Sequence, residues 1–385
     1  MLPIIQIIRL PENYQWDFRV FYSAAMTFEQ GYDPFDANQR ETVFPAPGME
    51  FFYPPVTLYL FQPLTAFPYK TAYLLWFGLK LFALMLLLLI WHRTFEPLNP
   101  RYPMVLFFLL AYSGTLYLDL AAGNIAIFEQ IVLWLGFSFL LRRRYLLFGL
   151  CIALVAQFKL QPIVFLGLLF VVEARPRWLE LGTSLASFLA LFSLNFLLQP
   201  LLMQSFIARI SAGGGNLDER GAINPSMLAF IRDGIGILSK TIHQIPQYVD
   251  ALIYILAVLG ILTLCLYFLR IHRKNNPETD LKSLIYIASL AFCVVAPRMK
   301  DYSFVLCLLP TLSILRRQKT GLVPIWAVFV LAPSVSSYVP FPFFEKLSVV
   351  SMYIYSYLPL LAAGMILWLS LDEFRKSSSY ETNHC

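Results

Sequence analysis

The sequence predicts an all-α, polytopic membrane protein, and three observations carry that prediction. These are an apolar, charge-poor composition, a succession of apolar runs of helical length, and basic residues gathered in alternate connecting loops. Of 385 residues, 58% are hydrophobic and 14% charged, whereas soluble chains keep about a quarter of theirs charged. The formal net charge of +6 does not point to nucleic acid, because the basic residues stand in short clusters between apolar runs, as the positive-inside rule requires.

Taken in order, eleven apolar segments are long enough to be considered as spans: 71–91, 103–121, 123–141, 145–158, 160–174, 179–200, 248–270, 283–296, 302–315, 322–339 and 347–371. The pair covering 145–174 flanks Lys159 and Pro162 and is expected to be tilted, broken or partly re-entrant. Arg93 and Arg101, then Arg142, Arg143 and Arg144, then Arg175 and Arg177 fall in alternate loops. The series continues with the segment 270–282, the segment 316–319, and Arg375 with Lys376. These loops and the carboxyl terminus are therefore assigned to the cytoplasm, and the intervening loops to the other side. The expected organisation is an extracytoplasmic segment 1–70, a first bundle 71–200, a long outer loop 201–247, a second bundle 248–371 and a cytoplasmic tail 372–385. Residues 1–10 are apolar but fall short of the ~20 residues a span needs. Either the amino terminus starts outside, or a span precedes Met1.

Cys151, Cys265, Cys293 and Cys307 lie inside apolar runs, Cys385 is terminal, and His92, His243, His272 and His384 are scattered. No spacing suggests a disulfide framework or a zinc site, so neither metal nor cofactor is expected.

The outer segments hold the chemistry. Phe18, Phe21, Ala25 and Phe28 recur at helical spacing and predict an interfacial helix. Asp17 stands at its N-cap position and Gly31 at its C′ position. A turn at Asp33, Pro34, Phe35 and Asp36 follows, and Phe51, Phe52, Tyr53, Pro54 and Pro55 return the chain to the membrane in extended form. In this order, D-F-R-V-F-Y-x-A-A, G-Y-D-P-F-D and F-x-Y-P-P ahead of a long span, the sequence resembles the GT-C class of glycosyltransferases. It most resembles the polyprenyl-phosphate-mannose-dependent mannosyltransferases of glycosyltransferase family 87. Looser landmarks follow: Gly123 and Asn124 after a short turn, Lys159 to Pro162 as K-x-x-P, Asn224 to Ser226 as N-x-S, and a late outer loop at 297–301. Members of the family carry a span before the first-loop aspartate, and this sequence has none there.

The resemblance implies a GT-C-like bundle of about eleven transmembrane helices. It also implies transfer of a hexose, mannose by the family's habit, from a polyprenyl-phosphate donor to an extracytoplasmic glycan or glycolipid acceptor. By sequence match Asp17 is the general base, and cationic groups hold the lipid phosphate. Each candidate has a plainer reading beside the functional one. Asp17 also reads as a helix cap, Asp33 as a turn former, and Arg19 as an arginine snorkelling to headgroups. Lys159, an ammonium between apolar runs, must face a polar cavity or the surface. Arg298 and Lys300 break the positive-inside pattern and suit a phosphate, with an internal ion pair to Asp301 as the alternative. Asn224 and Arg232, in the long loop, read as donor-binding or as turn and surface residues. Asp119 and Glu129 are expected to pack against lysine or a buried polar group. The rival function is a secondary transporter or lipid flippase using Lys159, Asp119 and Glu129 as coupling charges; a catalytically inactive scaffold is the third.

Overall fold

A computed structural model of the chain describes residues 7–8, 13–45, 49–98, 102–173, 175–212, 219–239, 246, 248–275, 281–318, 323–333 and 348–382. Expectations resting on most of 1–12, on the loop at 340–346, and on the end of the tail lie outside these residues. Every regular element among the described residues is helical. The chain divides into two compact units, one of residues 1–95 with 118–217, the other of 96–117 with 218–385.

The first unit opens with α1 (Trp16–Glu29), α2 (Ala37–Val43), α3 (Leu58–Thr65) and α4 (Tyr69–Ile90). It takes the last turn of α5 (Tyr102–Ala122), then α6 (Ala126–Leu141), α7 (Tyr145–Val155), the short α8 (Leu168–Val171), α9 (Trp178–Leu198) and α10 (Pro200–Ser211). Aromatic rings fasten α1 to its neighbours: Phe18 stacks on Trp76 of α4 at 5.5 Å, and Phe21 on Phe61 of α3 at 4.6 Å. Helix α7 packs against both α6 and α9. Its Gly149 makes the second contact close, because a Cβ there would fall 1.7 Å from Ser184 Oγ, the small-residue approach common between helices in membranes.

The second unit contains the earlier part of α5, α11 (Met227–Ser239), α12 (Val249–Asn275), α13 (Leu281–Val295), α14 (Val305–Arg317), α15 (Val323–Leu331), α16 (Val349–Ser356) and α17 (Leu358–Thr382). Helix α17 packs against α12 and α13. The first part of α5 is interrupted at Ala111, Tyr112, Ser113 and Gly114, the last three with positive φ.

Four helices among the described residues are long and apolar enough to cross a bilayer: Tyr69–Phe95, Met104–Ala122, Trp178–Leu198 and Val249–Arg270. The bent pair Val349–Ser356 and Leu358–Glu373, at 61°, makes a fifth if taken as one span. Where they are described, the remaining expected segments are shorter helices or a 3-10 turn with a short helix; residues 334–339 lie outside the described residues. Residues 145–174 are broken as the sequence predicts: α7 ends at Val155, and a 3-10 turn over Gln161–Gly167 carries Pro162 at its start.

Candidate functional site

Helix α1 begins two residues earlier than the pattern suggests. Its N-cap is Gln15, in left-handed backbone with φ +53 and no side-chain capping bond. Asp17 is therefore not the cap but lies in the first turn, with its side chain employed elsewhere. Gly31 is the C′ glycine expected: at φ +80 it sends its N–H to Phe28 O, while Tyr32 N–H reaches Thr27 O, the paired bonds of a Schellman ending. Burial runs round much more than one face and includes Asp17, Ser23 and Thr27. The helix thus brings a carboxylate into the interior of the first unit.

There Asn124 receives it. Asn124 Nδ2 donates to Asp17 Oδ2 at 2.7 Å, and both residues are more than nine-tenths buried. The same amide's Oδ1 accepts from Ala126 N at 3.0 Å and from Lys159 Nζ at 3.5 Å. Lys159 Nζ pairs in turn with Glu129 Oε2 at 2.8 Å, while 30% of its side chain stays exposed. Tyr53 is hydrogen-bonded to Asn124, and burial pushes its phenol up to about 12, so it stays a neutral O–H at any physiological pH. Deeper in the unit, Lys80 Nζ pairs with Asp119 Oδ2 at 2.8 Å, both side chains fully buried. An ammonium and a carboxylate inside an apolar bundle are stable there only as partners, and removing one of such a pair costs about 3–5 kcal/mol.

The approach of α1 to this cluster depends on Gly123. Its φ is +71, and a Cβ would lie 2.9 Å from Gln15 Cβ and 3.0 Å from Phe18 Cβ. Glycine is required twice over, by backbone conformation and by space. Gln15 N–H also donates to Ala121 O at 2.5 Å, so the start of α1 lies directly on the turn that carries Asn124.

Two other expected residues of this unit stand apart from the cluster. Arg19, two positions along the helix from Asp17 and so on another face, places its guanidinium 5.5 Å over the Tyr69 ring, a cation–π contact. Asp33 Oδ1 accepts from Phe35 N at 2.9 Å, and Asp36 caps α2 through Asn38 N and Gln39 N. The Asp-Pro turn therefore has the local role its sequence suggests.

A second cluster lies within the second unit. Arg298 Nη2 and Lys300 Nζ both pair with Glu219 Oε2, at 3.0 and 2.5 Å. The carboxylate they share is thus Glu219, far away in sequence, where proximity along the chain favoured Asp301. Burial pushes Glu219 up, but the cations outweigh it and hold the carboxyl below its ordinary value. Asn224 positions this loop: its Oδ1 accepts from Met299 N at 2.9 Å, its Nδ2 donates to Glu219 O at 2.8 Å, and Ser226 Oγ donates to Pro297 O at 2.9 Å. Arg232 is drawn off to Asp250 of α12 at 2.7 Å.

Of the sequence-derived candidates, then, Asp17 and Lys159 meet around Asn124, and Arg298, Lys300 and Asn224 meet around Glu219. Lys80, Asn124 as a tie, and Tyr53 were missed. Lys80 carried a usable signal, a lone cation within a long apolar helix. Asp119 and Glu129 each pack against a lysine, as expected.

No curated protein and no solved structure matches the chain. The model of glycosyltransferase family 87 matches residues 51–297, a stretch containing Tyr53, Lys80, Asp119, Asn124, Glu129, Lys159, Asn224 and Arg232. Asp17, Arg19 and Asp33 precede it, and Arg298 and Lys300 follow it. The match lends nothing to a transporter reading. It covers well over half of the sequence, and with several helices fit to cross a bilayer the chain belongs to glycosyltransferase family 87, as a multi-pass membrane glycosyltransferase acting on a sugar donor and an acceptor.

Proposed function

We propose that the enzyme moves a hexose, mannose in the first instance, from a polyprenyl-phosphate donor to an extracytoplasmic glycan or glycolipid acceptor, with Asp17 as general base and no cofactor or metal. The acceptor hydroxyl attacks the anomeric carbon and its proton passes to the Asp17 carboxylate. The bond from that carbon to the lipid phosphate breaks, and the phosphate leaves with the electron pair. The observation that carries this reading is the buried Asp17 carboxylate, held by Asn124 at 2.7 Å and neighboured through the same amide by the part-exposed Lys159. One group accepts a proton and the other favours an anion, as the reaction needs. Arg298 and Lys300 are assigned to the donor phosphate, which would compete with Glu219 for them. Asn224 acts by holding their loop; Arg19, Asp33 and Arg232 remain candidates of second rank for donor contact.

The proposed setting is a bacterial inner membrane crossed by about eleven helices in a GT-C-like bundle. The carboxyl terminus is cytoplasmic, α1 lies at the outer interface, and the segments 1–70 and 201–247 lie outside. The basic loops at Arg142 to Arg144 and at Arg316 and Arg317 support this orientation.

The test is reconstitution in liposomes with radiolabelled polyprenyl-phosphate mannose and a membrane extract as acceptor source, run beside the glucose and arabinose donors. Transfer from the mannose donor is expected, falling by about 10²-fold or more in Asp17→Asn. Equal transfer by the variant and the wild type rules out Asp17 as the base, and a preference for another donor replaces mannose.

A further inference from the structure

Lys80 lies in α4, within a run of leucine and aromatic residues, and its side chain is fully buried. Its ammonium has three polar partners. These are Asp119 Oδ2 at 2.8 Å, the Asp119 carbonyl at 2.6 Å and the Asn124 carbonyl at 2.5 Å. The ammonium is wholly buried, so Lys80 acts on what it holds rather than on a substrate. The two carbonyls bracket the turn from 119 to 124. Inside the turn is Gly123, whose carbonyl accepts from Trp76 Nε1 at 2.8 Å and whose missing side chain admits Gln15 and Phe18. At its end is Asn124, whose side chain holds Asp17. One ammonium therefore ties α4, the end of α5 and the start of α6 at the place where α1 delivers its carboxylate.

We propose that the Lys80–Asp119 pair is a positioning device for the transfer reaction: it locks the turn that sets where Asp17 stands. This rests on the reading of Asp17 as the base. Stability alone is a poor account of the pair, since well-packed apolar residues commonly replace buried ion pairs at no loss, and charges inside membrane segments are costly. Asn124 stands between Asp17 on one side and Lys159, paired with Glu129, on the other, while its carbonyl and that of Asp119 are held by Lys80. Of these, Lys80 and Asp119 are joined to the turn itself.

Either single variant, Lys80→Met or Asp119→Asn, breaks the buried pair and loosens the turn it ties. Both lower kcat by about 10²-fold with a smaller change in donor KM, because Arg298 and Lys300, assigned to the donor phosphate, are held by Glu219 and not by this turn. Should a single variant fail to fold, Lys80→Met with Asp119→Leu leaves no unpaired charge; it is expected to recover thermal stability and to keep a low kcat. Wild-type kcat in that double variant overturns the proposal. Asp17→Asn is assayed alongside. If it transfers at the wild-type rate, the base assignment falls and this proposal with it; if it is inactive while the double variant matches wild type, the positioning role alone falls.

Discussion

Glu219 illustrates what a single side chain decides here. Its carboxylate is shared by Arg298 and Lys300 and is held below its ordinary pKa. A depressed carboxyl contributes stability that is fully present above its unfolded value, near 4.3, and is lost as pH falls through its folded value. Thermal unfolding in detergent should therefore show wild type above Glu219→Gln at neutral pH, with the two converging on acidification; parallel curves would show that the pair contributes nothing. This partnership was not legible in the sequence, where Asp301, next to Lys300, was the obvious choice and only tertiary structure brings residue 219 to residue 298. Asp17 was legible through the order of motifs it opens, and Lys159 because an ammonium between apolar runs stands out. Asn124 was visible only as a turn residue after glycine: nothing in one sequence says that its amide holds a carboxylate 107 positions away.

At the scale of elements, α1 shows two uses of glycine. Gly31 ends the helix with φ +80 and open space around a would-be Cβ, whereas Gly123 faces α1 with φ +71 and no space at all. Gly31→Ala should cost about 1 kcal/mol of backbone strain and leave transfer close to wild type. Gly123→Ala adds a steric displacement of Gln15 and Phe18, so it should lower both the unfolding temperature and the transfer rate. Thermal unfolding and the liposome assay on both variants check this, and equal behaviour of the two would contradict the close packing of α1 on the turn. The helical character of the apolar runs was readable throughout from composition. Their ends were less so: Gln15 displaced Asp17 from the cap, and the stretch after α7 shortens into a 3-10 turn where Pro162 removes a backbone donor.

For the whole molecule, the greasy surface is what the chain shows its solvent. Helices α9 and α12 have only 17% and 6% of their most apolar windows buried inside the structure, leaving Leu256 and Leu259 of α12 more than half exposed. In water such a surface would aggregate; in a bilayer it is ordinary. Leu256→Asp should cost about 2.5–3.5 kcal/mol of insertion free energy and deplete the protein from the membrane fraction, while Leu256→Ile should not; equal yields of the two would place that face away from lipid. The membrane class was legible from the first count of residues, because bulk hydrophobicity needs no knowledge of contacts. The Lys80–Asp119 pair has a further consequence, in the order of biosynthesis. The chain is made from its amino end, so α4 enters the membrane carrying an ammonium whose carboxylate is still 39 residues from being made. Until α5 arrives, its leucines must carry that charge unaided, and α5 then brings a carboxylate needing the same relief. The two helices therefore have reason to leave the insertion machinery as a pair.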